Sequence, residues 1–444
     1  MGVCSDSRQL HGGELFIPLR GPNFDGHDFI KEAMAKGAAG SLVQSGRLES
    51  TGGNPWPGKF FVLVRDVLQA LGDLAHSWRR RHSVQVVAIT GSNGKTTTKE
   101  MTACILVGKF NVLKTEGNWN NLIGLPLSLL KLAPVHEVAV MEMGMNVPGE
   151  IRRLKAIAEP QVSMISNIGH SHLEFLENLE GVARAKGELW EAVGEKDWIA
   201  VNVDDPRVVQ LASSARCQKK TFGILRKADI YAEELCLERG KGIRFSLNVD
   251  GEKRPVQLNA FGSHNVSNAL AAAALAIILG VGLEEIAAGL EEFWPLAGRG
   301  KILRLGREVR VLDDSYNANP NSLQATVSAF GEMKGENRGL LVMGDMLELG
   351  RTSSAEHEKI GKELASMGLA YLIFLGGKAR HMAEGACAAG VKEKSVLAAQ
   401  TYEEVLTFLG KNVKNGDWIL VKGSRAMKME RIIQGLENLL GKAG

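Results

Sequence analysis

The segment Val87-Ala88-Ile89-Thr90-Gly91-Ser92-Asn93-Gly94-Lys95-Thr96-Thr97-Thr98 joins a buried strand to a glycine-containing loop, and we expect a helix to begin near Thr97. Glycine tolerates positive φ, so successive backbone N–H groups of such a loop can converge on phosphate oxygens. The N-terminus of the following helix adds a partial positive charge. Lys95 can reach the β- and γ-phosphates of a nucleotide, and the Thr96 hydroxyl can bind Mg²⁺. The segment therefore predicts a nucleotide site, whose candidate residues are Gly91, Ser92, Asn93, Gly94, Lys95, Thr96 and Thr97.

The spacing of this loop differs from the common GxxxxGK[ST] pattern. Two residues separate Gly91 from Gly94, and Ile89 stands where the first glycine would be. A GxxGKT sequence is short enough to occur by chance, and a structural turn is the alternative interpretation. The position of the loop between a strand and a helix favours the nucleotide site.

The rhythm of strands and helices on both sides of this loop predicts an α/β protein of three domains, at residues 1–82, 83–297 and 298–444. A chain of 444 residues is too long for one hydrophobic core. Residues 83–297 alternate buried strands with helices, which is typical of a parallel, doubly wound sheet. Strands are predicted at 14–19, 60–64, 84–90, 137–141, 162–167, 198–203, 309–312, 339–343, 371–375 and 418–421, helices at 29–37, 265–279 and 283–293, and an antiparallel appendage at 230–260.

Composition and charge limit the class of protein. Apolar residues make up 45% and charged residues 23% of the chain, as in an ordinary globular protein. A net charge of +3 with scattered Lys and Arg gives no reason to expect a nucleic-acid partner. The five cysteines form no CxxC pair, and no apolar run is long enough to cross a bilayer. We therefore expect a cytoplasmic protein without membrane insertion.

The loop variant TGSNGKTTTKE at 90–100 resembles the ATP loop of the Mur ligase family, which also includes folylpolyglutamate synthases. Further matching segments follow in order along almost the whole chain: SDSR (5–8), GELFIPLRG (13–21), FDGHDF (24–29), GNWNN (117–121), IGLPL (123–127), EMG (142–144), DDSYNANP (313–320), GDM (344–346), ELG (348–350) and KGSR (422–425). The resemblance implies a small N-terminal α/β domain for the UDP-sugar end of a substrate, a central P-loop ATPase domain and a C-terminal Rossmann-like α/β domain. The family usually has a short stretch before the SDSR segment that this sequence does not contain. The resemblance therefore does not assign residues to that part of the uridine pocket.

Within the family, these segments are similar to the members that add D-alanyl-D-alanine to UDP-N-acetylmuramoyl-tripeptide. The resemblance implies a ligase that uses ATP to convert a substrate carboxylate into an acyl phosphate, with Mg²⁺, expected as two ions, as the metal cofactor. The implied partners are the two small-molecule substrates, UDP-N-acetylmuramoyl-tripeptide and D-alanyl-D-alanine, and we expect a monomer.

Three alternative functions remain at this point. The first is a sister ligase that adds a single amino acid, but the DNPR-type segment of the diaminopimelate-adding relative is replaced by DSYNANP at 314–320. The second is a folylpolyglutamate synthase, in which the N-terminal domain would have no place. The third is a regulatory protein that hydrolyses ATP without ligation, which the combination of Lys95, Thr96, Glu142 and Lys186 argues against.

The resemblance implies three further catalytic and metal-binding residues beside Lys95 and Thr96. Glu142 would bind Mg²⁺ at a strand end, where a solvated carboxylate is the alternative. His172 would bind a second Mg²⁺, although imidazole is an unusual ligand for this ion and His170 is a nearby competitor. Lys186 would be carbamylated, which turns a cation into an oxygen ligand, and an exposed helix lysine is the alternative.

The remaining candidates are assigned by resemblance to the ends of the substrates. Asn265 and Asn268, beside His264, would contact the adenine or ribose, or else cap a helix; Arg299 would contact the γ-phosphate and Asp314 the ribose. The other candidates are Asp6, Ser7 and Arg8 for the UDP end, Asn120 and Asn121 for the pyrophosphate or muramoyl group, and Tyr316, Asn317 and Asn319 for the dipeptide. Polar turn residues around Pro320 would give a pattern similar to that of the last group.

Overall fold

The computed structural model describes residues 2–47, 56–170, 176 and 178–441. Along those residues the strands form three sheets, and helices alternate with strands in each. The predicted α/β class is therefore confirmed. No helix within the described ranges is long and apolar enough to span a bilayer.

The bounds of the elements are as follows. The strands are β1 (Val3–Cys4), β2 (Leu15–Phe16), β3 (Gly40–Gln44), β4 (Phe60–Val64), β5 (Gln85–Thr90), β6 (Val112–Lys114), β7 (Val138–Glu142), β8 (Val162–Ile165), β9 (Trp198–Asn202), β10 (Gln218–Gly223), β11 (Ile230–Glu238), β12 (Gly242–Val249), β13 (Glu252–Leu258), β14 (Lys301–Arg304), β15 (Arg310–Asp314), β16 (Gly339–Gly344), β17 (Tyr371–Leu375), β18 (Val396–Ala399) and β19 (Trp418–Lys422). The α-helices are α1 (Ile30–Ala35), α2 (Val67–Arg79), α3 (Lys95–Leu106), α4 (Gly124–Leu129), α5 (Glu150–Ala158), α6 (Leu179–Gly187), α7 (Pro206–Ser214), α8 (Ser263–Ile278), α9 (Leu283–Glu291), α10 (Pro320–Lys334), α11 (Ser353–Ala365), α12 (Ala379–Ala388), α13 (Tyr402–Asn412) and α14 (Glu430–Leu440).

The chain divides into two compact units. The first comprises residues 1–90 and 109–163, and the second comprises residues 91–108 and 164–444. The first boundary between the two units falls between Thr90 and Gly91, at the start of the glycine-containing loop. That loop and α3 therefore belong to the second unit, whereas β5 belongs to the first.

The first unit contains a small parallel sheet in the order β1-β2-β3-β4. The strand predicted at 14–19 is wrong in length, because β2 ends at Phe16. Pro18 has no N–H group and cannot continue the ladder. The strand predicted at 60–64 is confirmed as β4. Strand β3 was not predicted; Val43 on it packs into a small core with Phe16 and Ile30.

The first unit also contains β5, β7 and β6, which are parallel neighbours in that order. All residues of β7 and nearly all of β5 are buried. A parallel strand that is covered on both faces needs such a continuous apolar run, which is why the sequence pattern identified both strands. Glu142 is the last residue of β7 and lies at the carboxyl end of the sheet.

The second unit carries strands that pair in the order β9-β10-β11-β12-β13, while the boundary between the two units falls inside β8, after Ser163. Strands β9, β10 and β11 are parallel, and β12 and β13 continue antiparallel. The antiparallel appendage predicted at 230–260 is therefore confirmed. Its turns use positive φ at Gly240, Asp250 and Gly251, as tight hairpins require.

The C-terminal part of the second unit is a six-stranded sheet in the order β14-β15-β19-β16-β17-β18. Its strands are parallel except for β14, which pairs antiparallel at one edge. The carboxyl ends of β15, β19 and β16 thus lie side by side, at Asp314, Lys422 and Gly344. Open α/β sheets bind ligands at this edge.

Candidate functional site

The glycine-containing loop has a backbone that other residues could not adopt without strain. Gly91 has φ +140° and Gly94 has φ +83°. A Cβ atom on Gly91 would lie 1.9 Å from Ser166 Oγ, and one on Gly94 would lie 2.2 Å from Asn268 Oδ1. The left-handed Gly94 is the N-cap of α3, so the helix begins at Lys95. The prediction that the helix begins near Thr97 is wrong, because the left-handed backbone of Gly94 alone completes the turn into the helix.

The first half of the loop is fixed by the segment that follows β8. The backbone N–H groups of Ser92 and Asn93 donate to the carbonyl and side-chain oxygens of Asn167, at 2.9 and 3.0 Å. Ser166 Oγ donates to the carbonyl of Asn93 at 2.5 Å. These N–H groups are therefore paired within the protein, and a phosphate would be bound by the amides at the start of α3, which have no partner inside the helix. Sequence reasoning missed Ser166 and Asn167, which are ordinary polar residues at a strand end.

Two lysines at the loop are close enough for the charge of one to influence the pKa of the other. Lys95 Nζ donates to the carbonyl of Gly91 at 2.7 Å. Lys186, near the end of α6, is 1% exposed. Burial, and then the charge of Lys95, hold the pKa of Lys186 well below its usual value. The alternative of an exposed helix lysine is therefore wrong.

Arg299 reaches the phosphate loop from the linker that precedes β14. Its guanidinium donates to the Thr96 hydroxyl at 3.2 Å. The linker residue Gly298 is fixed by a 2.8 Å hydrogen bond from its N–H group to Asp313 Oδ2. The cleft at this point is lined by Thr96, Thr97, Glu100, Phe293, Pro295, Leu296 and Arg299. The structure thus brings together two of the predicted nucleotide residues that are 203 positions apart in the chain.

Asn265 and Asn268 lie on the buried face of α8. The alternative that they cap this helix is wrong, because Gly262 is the N-cap and no side chain caps it. Asn265 donates to the carbonyl of Phe261 at 2.8 Å, and Asn268 donates to Asn265 Oδ1 at 3.2 Å. Asn268 Oδ1 in turn accepts a 3.4 Å hydrogen bond from the Thr98 hydroxyl of α3. The two amides therefore connect α8 to the helix that carries the loop.

The carboxylate of Asp314 forms an ion pair with a lysine that is not among the candidate residues. The ammonium of Lys422, at the end of β19, pairs with Asp314 Oδ2, to which Thr326 also donates at 2.7 Å. Burial alone would raise the pKa of Asp314, but Lys422 outweighs it and the pKa is lowered. His264 is close enough to feel both charges, and burial lowers its pKa. The sequence did contain a signal for Lys422, because this residue belongs to the matching KGSR segment.

The three polar residues predicted for the dipeptide do different things in this structure. Tyr316 lies flat against Arg299, with the guanidinium carbon 3.8 Å from the ring centre. Asn317 is exposed, and its side-chain oxygen accepts from the N–H groups of Ala318 and Arg425. Asn319 caps α10 through Oδ1 and donates through Nδ2 to Asn93 Oδ1 at 2.7 Å. Asn319 thus agrees with the alternative interpretation of the group as turn residues, because its side chain caps a helix.

In the first unit, Glu142 is 1% exposed at the end of β7. The alternative of a solvated carboxylate is therefore wrong. Asn120 Nδ2 donates to Glu142 Oε1 at 2.7 Å, so two of the predicted residues are in contact. Asn121 Oδ1 accepts from the N–H groups of Ile123 and Gly124 and starts α4.

The SDSR segment lies at the N-terminal end of the first unit. Asp6 accepts hydrogen bonds from the backbone and guanidinium of Arg8, which lowers the pKa of Asp6 to about 2. Ser7 is buried between them, while Arg8 is exposed. Asp6 and Arg8 thus form an ion pair at the surface of the first unit.

His172 lies outside the described residues. The nearby His170 is described, and its backbone N–H donates to Asn321 Oδ1 at 3.2 Å. Over the described ranges, no group of three or more His, Cys, Asp or Glu side chains is arranged to hold a metal ion. The Thr96 hydroxyl of the second unit and the Glu142 carboxylate of the first are each oxygen donors of the kind that Mg²⁺ prefers.

Three models of one protein family match successive parts of the chain. They are the Mur ligase family catalytic domain at residues 1–79, the Mur ligase middle domain at 89–276 and the Mur ligase glutamate ligase domain at 298–425. The chain belongs to the Mur ligase family. The resemblance inferred from the ordered motifs is thereby confirmed.

Relatives and solved structures within the family cover nearly the whole chain. The UDP-N-acetylmuramoyl-tripeptide--D-alanyl-D-alanine ligase of Bacillus subtilis is 35% identical over 98% of this chain and 93% of its own. The crystal structure of MurF from Acinetobacter baumannii aligns with a TM-score of 0.88 and 33% identity, covering 98% of this chain and 93% of that one. MurF of Thermotoga maritima, solved in complex with ADP, aligns with a TM-score of 0.86 and 28% identity, covering 99% and 97%.

The contact between Gly94 and Asn268 predicts that Gly94→Ala weakens nucleotide binding in this Mur ligase. Gly149 is a matched control, because it is also a left-handed N-cap but a Cβ there would have no neighbour within 4 Å. Both variants should lose about 1–2 kcal/mol of stability through backbone strain. We expect Gly94→Ala also to lower the affinity for ADP, measured by calorimetry, by roughly tenfold or more. Equal ADP affinities of the two variants would contradict this prediction.

The dual role of Asn319 predicts that Asn319→Ser and Asn319→Ala differ. Serine also caps helices but is too short to reach Asn93, so Asn319→Ser should keep the melting temperature while nucleotide affinity falls about three- to tenfold. Asn319→Ala should show the same loss of affinity and, in addition, lose about 1 kcal/mol of stability. Wild-type nucleotide affinity in Asn319→Ser would show that the contact with Asn93 has no role in binding.

Proposed function

We propose that this Mur ligase joins D-alanyl-D-alanine to UDP-N-acetylmuramoyl-tripeptide at the expense of ATP, through an acyl-phosphate intermediate. The observation that carries the proposal is the likeness to a ligase of that name along 98% of the chain. The phosphate loop, with Arg299 on the Thr96 hydroxyl, supports the ATP-dependent part of it.

The reaction has two steps. An oxygen of the tripeptide's terminal carboxylate bonds to the γ-phosphorus of ATP as the bond to ADP breaks. The amine of D-alanyl-D-alanine then forms the amide bond, phosphate leaves, and the nitrogen gives up a proton. Phosphoryl transfer depends on positioning and charge stabilisation rather than on a protein nucleophile. Lys95 and Arg299 are suited to this role, because both present cations at the loop.

Magnesium would neutralise charge on the phosphates and align them for transfer. The candidate ligands are Thr96, Glu142, His172 and, once carbamylated, Lys186. The described members of this set fit the ion. Thr96 and Glu142 each offer a buried oxygen, and burial lowers the pKa of Lys186, which favours the neutral form of the amine that reacts with CO₂.

The substrate ends are assigned as the resemblance implies. Asn265, Asn268 and Asp314 would serve the adenine and ribose, and Asp6, Ser7 and Arg8 the uridine end. Asn120 and Asn121 would lie near the pyrophosphate or muramoyl group, and the resemblance gives Tyr316, Asn317 and Asn319 to the dipeptide. We further propose that the protein works as a monomer in the cytoplasm, with domains at 1–82, 83–297 and 298–444.

The function is tested by the release of ADP from purified protein with UDP-N-acetylmuramoyl-tripeptide and one of four acceptors: D-alanyl-D-alanine, D-alanine, L-lysine or diaminopimelate. We expect release with the dipeptide alone, and a product heavier by the mass of the dehydrated dipeptide. Release with a single amino acid would move the protein to a sister ligase. Release that depends on no acceptor would mean an ATPase without ligation.

Carbamylation of Lys186 is tested by the variant Lys186→Ala. In the modification the neutral amine bonds to CO₂ and the nitrogen loses a proton, which leaves an anionic oxygen ligand. Lys186→Ala should lose activity, and short carboxylates such as formate or acetate should restore part of it. The same additives should not restore Arg299→Ala, which lacks a cation rather than an oxygen ligand. Normal activity of Lys186→Ala without additive would rule out a role for the modification.

A further inference from the structure

Two guanidinium groups lie over the ring of Tyr316. The guanidinium carbon of Arg299 is 3.8 Å from the ring centre, and that of Arg425 is 5.2 Å from it. At 3.8 Å the guanidinium is in direct stacking contact with the ring, which is the geometry of a cation–π interaction. Arginine, with its flat and weakly hydrated head group, stacks in this way more readily than lysine.

The backbone holds Tyr316 and Arg299 on one scaffold. The N–H group of Tyr316 donates to the carbonyl of Gly298 at 3.1 Å. Asp313 accepts from the N–H of Gly298 through its carboxylate, and from that of Gly300 through its backbone carbonyl, both at 2.8 Å. Gly298 has φ +75°, and a Cβ atom there would lie 3.1 Å from Tyr316 Cβ. The linker residues on both sides of Arg299 are thus fixed to the end of β15, where Tyr316 is.

The side chain of Arg299 would otherwise have many conformations. A long arginine side chain loses considerable rotamer freedom when it is held in one place. Here the ring holds one face of the guanidinium while an edge of it donates to the Thr96 hydroxyl at 3.2 Å. The hydrogen bond alone leaves the plane of the guanidinium free to rotate, and the ring fixes it.

We infer that Tyr316 is a positioning residue of the nucleotide site, which holds the Arg299 guanidinium against the phosphate loop. The inference rests on the proposed role of Arg299 towards the γ-phosphate. It assigns Tyr316 to the ATP end of the reaction, whereas the sequence pattern assigned it to the dipeptide. The hydroxyl of Tyr316 has no part in this role, because it is the face of the ring that contacts Arg299.

The test compares Tyr316→Leu, Tyr316→Phe, Arg299→Ala and the double variant Tyr316→Leu/Arg299→Ala. The measured quantity is the ratio of affinities for a non-hydrolysable ATP analogue and for ADP, which isolates the γ-phosphate. Tyr316→Leu should lower this ratio about three- to thirtyfold, because the stacking contact is lost, and should leave ADP binding unchanged. Tyr316→Phe should keep the wild-type ratio. Tyr316→Leu should add nothing in the Arg299→Ala background.

Tyr371 provides the matched control. Its ring packs with the guanidinium of Arg338 at 5.2 Å on β17, and neither residue belongs to the candidate site. Tyr371→Leu should therefore leave the ratio unchanged.

Three results would overturn the inference. They are an unchanged ratio in Tyr316→Leu accompanied by a higher KM for the dipeptide, additive effects in the double variant, and a loss in Tyr316→Phe as large as that in Arg299→Ala. The comparison of Tyr316→Phe with Arg299→Ala tests the inference even if Tyr316→Leu does not fold. The nucleotide measurements need no acceptor, so they remain informative if the wild-type protein fails the ligation assay and the proposed function falls.

Discussion

The nucleotide site depends on the close approach of Asn268 to Gly94. Asn268 Oδ1 occupies the space that a Cβ on Gly94 would need, and the left-handed backbone of Gly94 starts α3. Asn268 is itself fixed by Asn265 and by Thr98. It belongs to α8, whose alanines from Ala269 to Ala276 are buried, so the helix can hardly shift. A buried helix thus fixes the start of α3, whose Thr98 is 170 residues away from Asn268 in sequence.

Several cationic side chains lie at the same site, and the structure reduces the electrostatic repulsion between them. Lys95 and Arg299 both lie at the loop, and each is bound to a neutral oxygen, the carbonyl of Gly91 or the hydroxyl of Thr96. The pKa of Lys186 is lowered, first by burial and then by the charge of Lys95. Lys422 instead forms an ion pair with Asp314. The four side chains are therefore stabilised in different ways: Lys95 and Arg299 by neutral oxygens, Lys186 by the lowered pKa of its amine and Lys422 by a carboxylate.

Much of this could be predicted from the sequence, because the strongest signals are local. The strand–loop–helix pattern around Gly91 and Gly94 and the hairpins at 230–260 follow from short-range backbone rules. The residues that the sequence did not reveal are those whose role depends on distant partners. Ser166 and Asn167 look like ordinary polar residues after a strand, and their function appears once β8 places them against the loop. Lys422 lies 108 residues from Asp314 and meets it because β19 pairs with β15.

The segment DDSYNANP at 313–320 shows how one short motif can serve several distant parts of a structure. By resemblance Asp314 was assigned to the ribose and Tyr316, Asn317 and Asn319 to the dipeptide, and without ligands the side chains of the segment contact several different partners. Asp313 holds the linker, Asp314 binds Lys422, Tyr316 stacks on Arg299, and Asn319 joins the helix it caps to Asn93 of the loop. Four residues of this segment therefore connect the linker, the edge of the sheet and the phosphate loop. Because Tyr316 and Asn319 belong to the same short segment, Arg299 and Asn93 are held by one piece of backbone.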